Sequence, residues 1–322
     1  MKKILAVTLA LTMLLSMTAC GGSAQKADDG KYTIGIIQLV THDALDAATQ
    51  GFMDAVTEEL GAENVVFDVQ NAAGDTNTCS TIVNSFVAND VDLIMANATP
   101  ALQAAASATA DIPILGTSVT EYGVALGIDN FSGTVGGNIS GTSDLAPLDK
   151  QAAMVKEWFP DAQNVGLVYC SAEPNSQYQV DTIKVMLEDM GYTCTLYPFA
   201  DSNDMAAVTQ TAADASDVIY VPTDNTVASS TGIIDGVCQP AGVPIIAGEE
   251  STCSGCGVAT LSISYYDLGV ATGKMAVRIL KGEADISTMP IEYAATSTAK
   301  YNPTICQALG LTPPEGYIAI GE

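Results

Sequence analysis

Residues 217–230 read DVIYVPTDNTVASS, a short apolar run followed by a polar turn and a helix of small residues. A similar segment, DLIMANATPALQAA, occupies residues 92–105. This pattern is typical of a parallel α/β sheet, in which ligands bind at the carboxyl ends of the strands. The two segments therefore predict two turns that face each other across a cleft and hold a small molecule.

The elements around each segment repeat along the chain in the same order, which predicts two similar α/β lobes. In the first lobe we predict strands at 33–40, 65–69, 92–96, 112–115 and 124–128, with helices at 44–60, 76–89 and 100–109. In the second lobe we predict strands at 165–169, 192–197, 217–221, 243–246 and 257–259, with helices at 179–190 and 204–215. The connecting and terminal elements are a crossover at 129–149, a long helix at 265–280, a strand-like segment at 291–298 and a short helix at 302–309.

The charge balance excludes one class of partner. The chain has 37 acidic and 11 basic residues, a net charge of −26. Such a surface repels nucleic acid and anionic lipid headgroups, so we expect no nucleic-acid partner. The hydrophobic content of 48% is that of a well-cored globular protein.

The N-terminus resembles a bacterial lipoprotein signal. Lys2 and Lys3 precede an apolar run at 4–15, and a small residue stands directly before Cys20. We therefore expect residues 1–19 to be a signal peptide, Cys20 to be lipidated, and residues 20–31 to form a flexible tether. The protein would then lie on the outer face of the cytoplasmic membrane or in the periplasm. The alternative is an ordinary secretory signal with an incidental cysteine.

The sequence offers little for catalysis. His42 is the only histidine, and no GxSxG, GxGxxG or Walker motif follows a predicted strand. Cys253 and Cys256 form one CxxC motif without a second pair or a nearby histidine, so they predict a local disulfide or two thiols after a loop, not zinc. We expect no enzyme, no metal site and no cofactor. Three other cysteines in apolar runs are expected in the core: Cys170, Cys194 and Cys238.

The turns after the predicted strands favour binding. They carry hydroxyl, amide and carboxylate groups, and helix N-termini there offer free backbone N–H groups to an anion. A ligand carboxylate suits Thr99, Ser118 or Ser176, and Asp224 can accept an ammonium, which together suggest an α-amino acid. For each such residue taken alone, the alternative is plain helix capping.

Several segments resemble the substrate-binding lipoproteins of one ABC-transporter family, whose members bind tryptophan or other aromatic amino acids. They are IGIIQLVTHDALDAATQGF (34–52), ANATPALQAAA (96–106), PNSQ (174–177), VPTDNTVASS (221–230), GEES (248–251) and SISYYDLGVATGKMAVRIL (262–280). The resemblance implies a type I periplasmic-binding-protein fold, with two Rossmann-like lobes and a three-strand hinge. It implies lobes at 32–145 plus about 265–288, and at 146–264 plus about 289–322.

Carried over by position, the resemblance implies a set of ligand-binding residues drawn from both lobes. They are Thr41, His42, Asp43, Thr99, Pro100, Thr117, Ser118, Val119, Asn175, Ser176, Asp224, Asn225, Glu249 and Glu250. The aromatic wall is expected from Tyr122, Tyr178 or His42, whereas Tyr265 and Tyr266 suit the hinge or the core.

The mechanism implied by the family is lobe closure on the ligand, followed by delivery to an ABC permease and its ATPase. We expect a monomer that binds an aromatic amino acid such as tryptophan, tyrosine or phenylalanine. Two alternatives stay open: a binder of a nucleoside or another aromatic metabolite, and a sensor that reports ligand occupancy to a membrane receptor.

Overall fold

The computed structural model describes residues 30–321 and contains two sheets. The first lobe has a six-stranded sheet in the order β11-β5-β4-β3-β1-β2, and all its neighbouring strands are parallel. Its strands are β1 (Tyr32–Gln38), β2 (Val65–Asn71), β3 (Leu93–Asn97), β4 (Ile114–Val119), β5 (Ile139–Ser143) and β11 (Glu292–Tyr293). Its helices are α1 (Asp43–Leu60), α2 (Thr76–Ala88), α3 (Thr99–Ala108), α4 (Tyr122–Leu126) and α11 (Tyr265–Leu280), with 3-10 turns at Ala62–Asn64 and Ile286–Thr288.

The second lobe has a seven-stranded sheet in the order β13-β12-β10-β9-β8-β6-β7, in which only β10 and β12 pair antiparallel. Its strands are β6 (Asn164–Cys170), β7 (Thr193–Phe199), β8 (Val218–Val221), β9 (Ile245–Ala247), β10 (Ala259–Ser262), β12 (Thr298–Tyr301) and β13 (Ile318–Ala319). Its helices are α5 (Leu148–Trp158), α6 (Pro174–Asp189), α7 (Ser202–Ala213), α8 (Asn225–Ala228), α9 (Thr231–Ala241), α10 (Glu250–Cys256) and α12 (Pro303–Leu309).

The chain passes between the two sheets three times. The crossovers are the short segments 144–147, 263–264 and 294–297, which follow β5, β10 and β11. The prediction of two α/β lobes joined by a three-segment hinge is therefore confirmed. Because strands of both sheets end at these crossovers, residues just after β5 and β10 lie at the boundary between the lobes.

The fifth strand of the first lobe was predicted at the wrong place. Residues 124–128 do not form a strand, because Glu121 caps helix α4 there and Gly127 ends it in a left-handed conformation. The fifth strand is β5, whose sequence ISGTS carries buried hydroxyl groups in place of an apolar run. The fifth strand predicted for the second lobe, at 257–259, is in the right region, since strand β10 begins at Ala259.

Two smaller predictions also need correction, and of the two alternatives for the CxxC motif the structure has the free thiols. Helix α6 begins at Pro174 and not at residue 179, because proline is well suited to the first position of a helix. Thr117, Ser118 and Val119 belong to strand β4 and not to a turn. Cys253 and Cys256 lie within helix α10, and both are buried free thiols.

The first lobe is held together at its hinge side by close packing of α1 on α11. Two glycines permit this approach: a Cβ atom on Gly269 would lie 2.0 Å from the Ala48 carbonyl oxygen, and one on Gly51 would lie 2.1 Å from that of Tyr266. Helix α11 follows the second crossover directly, so this packing fixes the direction in which the hinge segment leaves the first lobe.

No helix within residues 30–321 is both long and apolar enough to cross a bilayer. The predicted signal peptide, the lipidation of Cys20 and most of the predicted tether fall outside the residues that the structure describes.

Candidate ligand-binding site

A buried carboxylate organises the second-lobe side of the boundary. Glu173, which follows β6, accepts hydrogen bonds from the backbone N–H groups of Asn225 and Thr226 and from both of their side chains, at 2.7–3.1 Å. It also accepts one from Asn175 Nδ2 at 3.0 Å. Glu173 therefore ties the turn after β6 to the turn after β8.

Asp224 has a similar structural role. Its Oδ1 accepts from the Val227 N–H at 3.0 Å as the cap of helix α8, and its Oδ2 accepts from the Cys170 N–H at 2.7 Å. Burial, followed by the negative charge of Glu173, raises the pKa of Asp224 above its usual range. Both oxygens are occupied by backbone donors of the second lobe.

The first-lobe side shows strained backbone at the ends of two adjacent strands. Ala98, after β3, has φ = 94°, and Ser118, near the end of β4, has φ = 53°. Non-glycine residues rarely adopt these values, and they concentrate at functional sites. The Ser118 hydroxyl is buried and has no hydrogen-bond partner among the described residues.

The two lobes meet directly at His42 and Asn225. Nε2 of His42 lies 3.3 Å from Oδ1 of Asn225. An amide oxygen can only accept, so Nε2 is the donor in this pair. The other ring nitrogen, Nδ1, is buried without a partner in the described part of the chain.

A third group of polar residues lies at the hinge. Tyr265 is the first residue of α11, directly after the second crossover, and its hydroxyl donates to Oδ2 of Asp144, in the first crossover, at 2.9 Å. Burial raises the pKa of Asp144 to about 6; the hydrogen bond from Tyr265 and the nearby Thr120 hydroxyl oppose that rise, and the charge of Glu249 adds to it. Burial and the charges of Asp144 and Glu249 raise the pKa of Tyr265 well above its ordinary value, while a hydrogen bond with Thr223 lowers it.

These groups are connected in space. Thr223, which contacts Tyr265, also accepts from Asn175 Nδ2 through its carbonyl oxygen at 3.2 Å. The Asp144 N–H donates to the Val119 carbonyl oxygen, next to Ser118. The hinge therefore joins the strained turn of the first lobe to the polar turns of the second.

Three cavities in the described part of the chain are lined by residues of both lobes. One of about 590 Å³ is lined by residues from both lobes and the hinge, among them Asp43, Glu249, Glu250 and Tyr265. Another of about 260 Å³ is lined by Leu39, Pro100, Glu173 and Asn225, among others.

The predicted site residues fall into two groups. Most are buried near the boundary: Thr99, Pro100, Thr117, Ser118, Val119, Asn175, Ser176, Asp224, Asn225 and Glu249, with His42 half-buried. Three are more peripheral. Thr41 and Asp43 are exposed, and Glu250 pairs with Lys300 at 2.6 Å within the second lobe.

The three candidates for the aromatic wall lie in different places, and His42 is the one at the contact with Asn225 between the lobes. Tyr122 is buried in the first-lobe core and donates to the Thr142 carbonyl oxygen at 3.1 Å. Tyr178, in α6 of the second lobe, lines the third boundary cavity, of about 410 Å³, opposite Val124 in α4 of the first lobe. Tyr265, by contrast, lies at the hinge beside the site.

Asp144 and Glu173, which the structure places at the boundary between the lobes, were not among the residues expected at the site. Asp144 lies in the segment interpreted as a plain crossover. The signal that marks Asp224 and Glu249, an acidic residue soon after a predicted strand, was missing at Asp144, because β5 was not predicted.

Comparison with known proteins agrees with this architecture. Residues 33–320 match the profile of a family described as ABC transporter substrate binding protein. A tyrosine-binding protein of Clostridioides difficile is 36% identical over 302 residues, covering 90% of this chain and 87% of that protein. The expected type I periplasmic-binding-protein fold is confirmed by these relatives and by solved structures.

Two similar solved structures differ in their ligand state, since one contains L-Trp and the other is ligand-free and open. The ABC domain from Streptococcus pneumonia in complex with L-Trp is 33% identical, with 90% of this chain and all of that one covered, and superposes with a TM-score of 0.86. A ligand-free, open substrate-binding protein with adhesive properties from Clostridium difficile is 38% identical, with 90% and 99% covered, but has a TM-score of 0.69. The chain therefore superposes better on the ligand complex than on the open, ligand-free structure, despite the lower sequence identity.

Proposed function

Because the chain belongs to the family of ABC transporter substrate-binding proteins, we propose that it captures an aromatic amino acid between its lobes and delivers it to a membrane permease. The observation that carries the proposal is a set of buried polar atoms at the boundary that lack partners within residues 30–321. They are His42 Nδ1, Ser118 Oγ, Asp144 Oδ1 and Asn175 Oδ1. A buried polar atom without a partner is costly, so a site of this kind is stabilised by a polar ligand.

The chemistry of the boundary suits a zwitterion. The start of helix α3 has no side-chain cap and directly follows the strained Ala98, so its N–H groups and the Ser118 hydroxyl are available to a ligand carboxylate. The hinge and the second lobe supply acidic groups for an ammonium. The names of the relatives, one tyrosine-binding and one bound to L-Trp, favour an aromatic side chain.

We expect the protein to bind its ligand by closing its lobes and not to convert it chemically. The contact between His42 and Asn225 exists only when the lobes approach each other, so a ligand that touches both lobes favours the closed form. We expect the closed monomer to dock on an ABC permease, whose ATPase drives transport. Export and lipidation of Cys20 complete the proposal, and both place the protein outside the cytoplasmic membrane.

The proposal is tested by isothermal titration of the purified protein with L-tyrosine, L-tryptophan and L-phenylalanine, with L-leucine and adenosine as comparisons. We expect at least one aromatic amino acid to bind tightly and to raise the melting temperature. Binding of adenosine without binding of any aromatic amino acid would replace the proposal by the nucleoside alternative. Transport is tested separately, by uptake of the labelled ligand in cells that lack this protein.

A further inference from the structure

We propose that Asp144, in the first crossover, is the residue that recognises the ligand α-ammonium, and that Tyr265 is its positioning residue. The inference deepens the proposed function and rests on it. It differs from what the sequence suggested, which was that Asp224 accepts the ammonium.

The buried charges of the protein are all negative. Within residues 30–321, four carboxylates are buried, namely Asp144, Glu173, Asp224 and Glu249, and no lysine, arginine or histidine is buried with them. Each follows a strand at the boundary between the lobes. None of the four ion pairs resolved in this part of the chain includes them. A buried carboxylate without a cation is costly, which indicates that a positive charge arrives with the ligand.

Only one of the four carboxylates has a free oxygen. Both oxygens of Glu173, Asp224 and Glu249 accept hydrogen bonds from backbone N–H or side-chain donors of the second lobe. In Asp144, Oδ2 accepts from Tyr265, but Oδ1 is buried and has no partner in the described chain. The other three carboxylates therefore hold backbone N–H groups of the second lobe, and Asp144 Oδ1 is the one carboxylate oxygen left to accept a hydrogen bond from a ligand ammonium.

The hinge positions this acceptor. Asp144 is 4% exposed. One of its carboxylate oxygens accepts a hydrogen bond from the hydroxyl of Tyr265, the first residue of α11 after the second crossover. The groups that face the carboxylate are Tyr265 at the start of α11, the Thr120 hydroxyl after β4 and the charge of Glu249 at the start of α10. The negative charge of Glu249 disfavours ionisation of Asp144, and an ammonium at Oδ1 would offset this repulsion.

The proposal is tested with Asp144→Asn, which keeps the shape and removes the charge. Affinities for L-tyrosine and for 3-(4-hydroxyphenyl)propionate, the same molecule without the ammonium, are measured by isothermal titration at pH 7.5. In the wild type we expect a strong preference for L-tyrosine. In Asp144→Asn we expect L-tyrosine to bind about 100-fold more weakly, as for loss of one partner in a buried charge pair, and the propionate to bind equally well or better. The control is Asp181→Asn, which makes the same change on the exposed face of α6.

Tyr265→Phe separates positioning from charge. It leaves the carboxylate but frees its Oδ2, so we expect a smaller loss of L-tyrosine affinity, about tenfold, with the preference over the propionate reduced but present. An unchanged preference in Asp144→Asn would overturn the inference while leaving the proposed function standing. A wild type that binds no aromatic amino acid would overturn the proposed function and this inference together.

A measurement on the wild type covers the case in which Asp144→Asn fails to fold. Burial raises the pKa of Asp144 to about 6 in the free protein. Pairing with an ammonium requires the ionised form, so L-tyrosine binding at pH 6 should release protons, whereas the propionate should release few or none. Titration in buffers of different ionisation enthalpy counts these protons, and equal counts for the two ligands would overturn the inference.

Discussion

Nε2 of His42 in the first lobe lies 3.3 Å from Oδ1 of Asn225 in the second, and this hydrogen bond spans the boundary at which the lobes close. Asn225 is itself held by Glu173, through its backbone N–H and its Nδ2. The bond therefore connects the start of α1 to a turn that is rigid within the second lobe. A contact that forms only on closure stabilises the closed state relative to the open one, and ligand affinity depends on that balance.

We expect His42→Ala to weaken ligand binding about three- to tenfold, the loss that corresponds to one hydrogen bond of modest net strength. Isothermal titration with the best ligand of the wild type measures the change. The matched control is Gln50→Ala, since Gln50 lies on the same helix and bonds only to Asp54 on the exposed face. An affinity equal to that of the wild type would show that the contact does not contribute to closure.

Asp144 also predicts how stability depends on pH. Its pKa is about 6 in the folded state and near 3.9 in an unfolded chain, so the folded state binds the proton more tightly between these values. The free energy of unfolding contributed by this group therefore rises as the pH falls from above 6 towards 4. Asp144→Asn removes the buried charge, and we expect it to stabilise the ligand-free protein at pH 8, by up to on the order of 3 kcal/mol.

Denaturant unfolding of both proteins at pH 4.5 and pH 8, without ligand, measures this difference. We expect the stabilisation by Asp144→Asn to be largest at pH 8 and to fall to about a third of that value at pH 4.5, where the carboxyl is protonated in the folded state but still largely ionised in the unfolded chain. A buried charge that serves binding commonly lowers stability, so a variant without it is expected to be more stable and to bind the amino acid more weakly. Equal stability of the two proteins at both pH values would show that the carboxylate is solvated.

Asp224 should behave in the opposite way. Its two oxygens accept backbone N–H groups, so removing them leaves two buried donors without a partner. We expect Asp224→Ala to lower the free energy of unfolding by about 1–3 kcal/mol through loss of a cap and of a buried hydrogen bond. Thermal and denaturant unfolding measure this loss. A variant with wild-type stability and no binding would instead restore Asp224 as a direct ligand contact.

Much of the fold could be predicted because apolar periodicity is strong in this chain. Helix α11 matches the helix predicted at 265–280. Strand β1 begins one residue before the strand predicted at 33–40 and ends two residues before it. Strand β5 could not be found in the same way, because its sequence ISGTS has no alternating apolar pattern and its buried hydroxyls bond within the lobe, as Thr142 does to Thr272. Strand β5 forms through its pairing with β4 and β11, and these contacts cannot be inferred from the local sequence of the strand.

For the candidate site, the sequence indicates which residues lie near the boundary, but not which atoms they contact. His42 and Asn225 were both expected at the site, and the structure brings them together from positions 183 residues apart. The distinction between Asp144 and Asp224 depends on which oxygens already have partners. Tyr265 is 121 residues from Asp144 along the chain, so their hydrogen bond cannot be inferred from local sequence.

The packing of α1 on α11 gives the last prediction. A Cβ atom at Gly269 would lie 2.0 Å from a backbone oxygen of Ala48, so either helix has to move. We expect Gly269→Ala to destabilise the protein by about 2–4 kcal/mol, as overpacking against a rigid backbone does. The matched control is Gly236→Ala in α9, where a Cβ atom would meet nothing within 4 Å. That change should stabilise the protein by about 0.5–1 kcal/mol, because alanine loses less conformational freedom in a helix.

Denaturant unfolding compares the two variants, and ligand titration adds a second readout. Since α11 begins directly after the second crossover with Tyr265, a shift of this helix also moves the hydroxyl that fixes Asp144. Gly269→Ala should therefore weaken ligand binding even at low temperature, where the variant is folded, whereas Gly236→Ala should leave it unchanged. If Gly269→Ala lost stability but kept wild-type affinity, the hinge geometry would be independent of how α11 sits on α1.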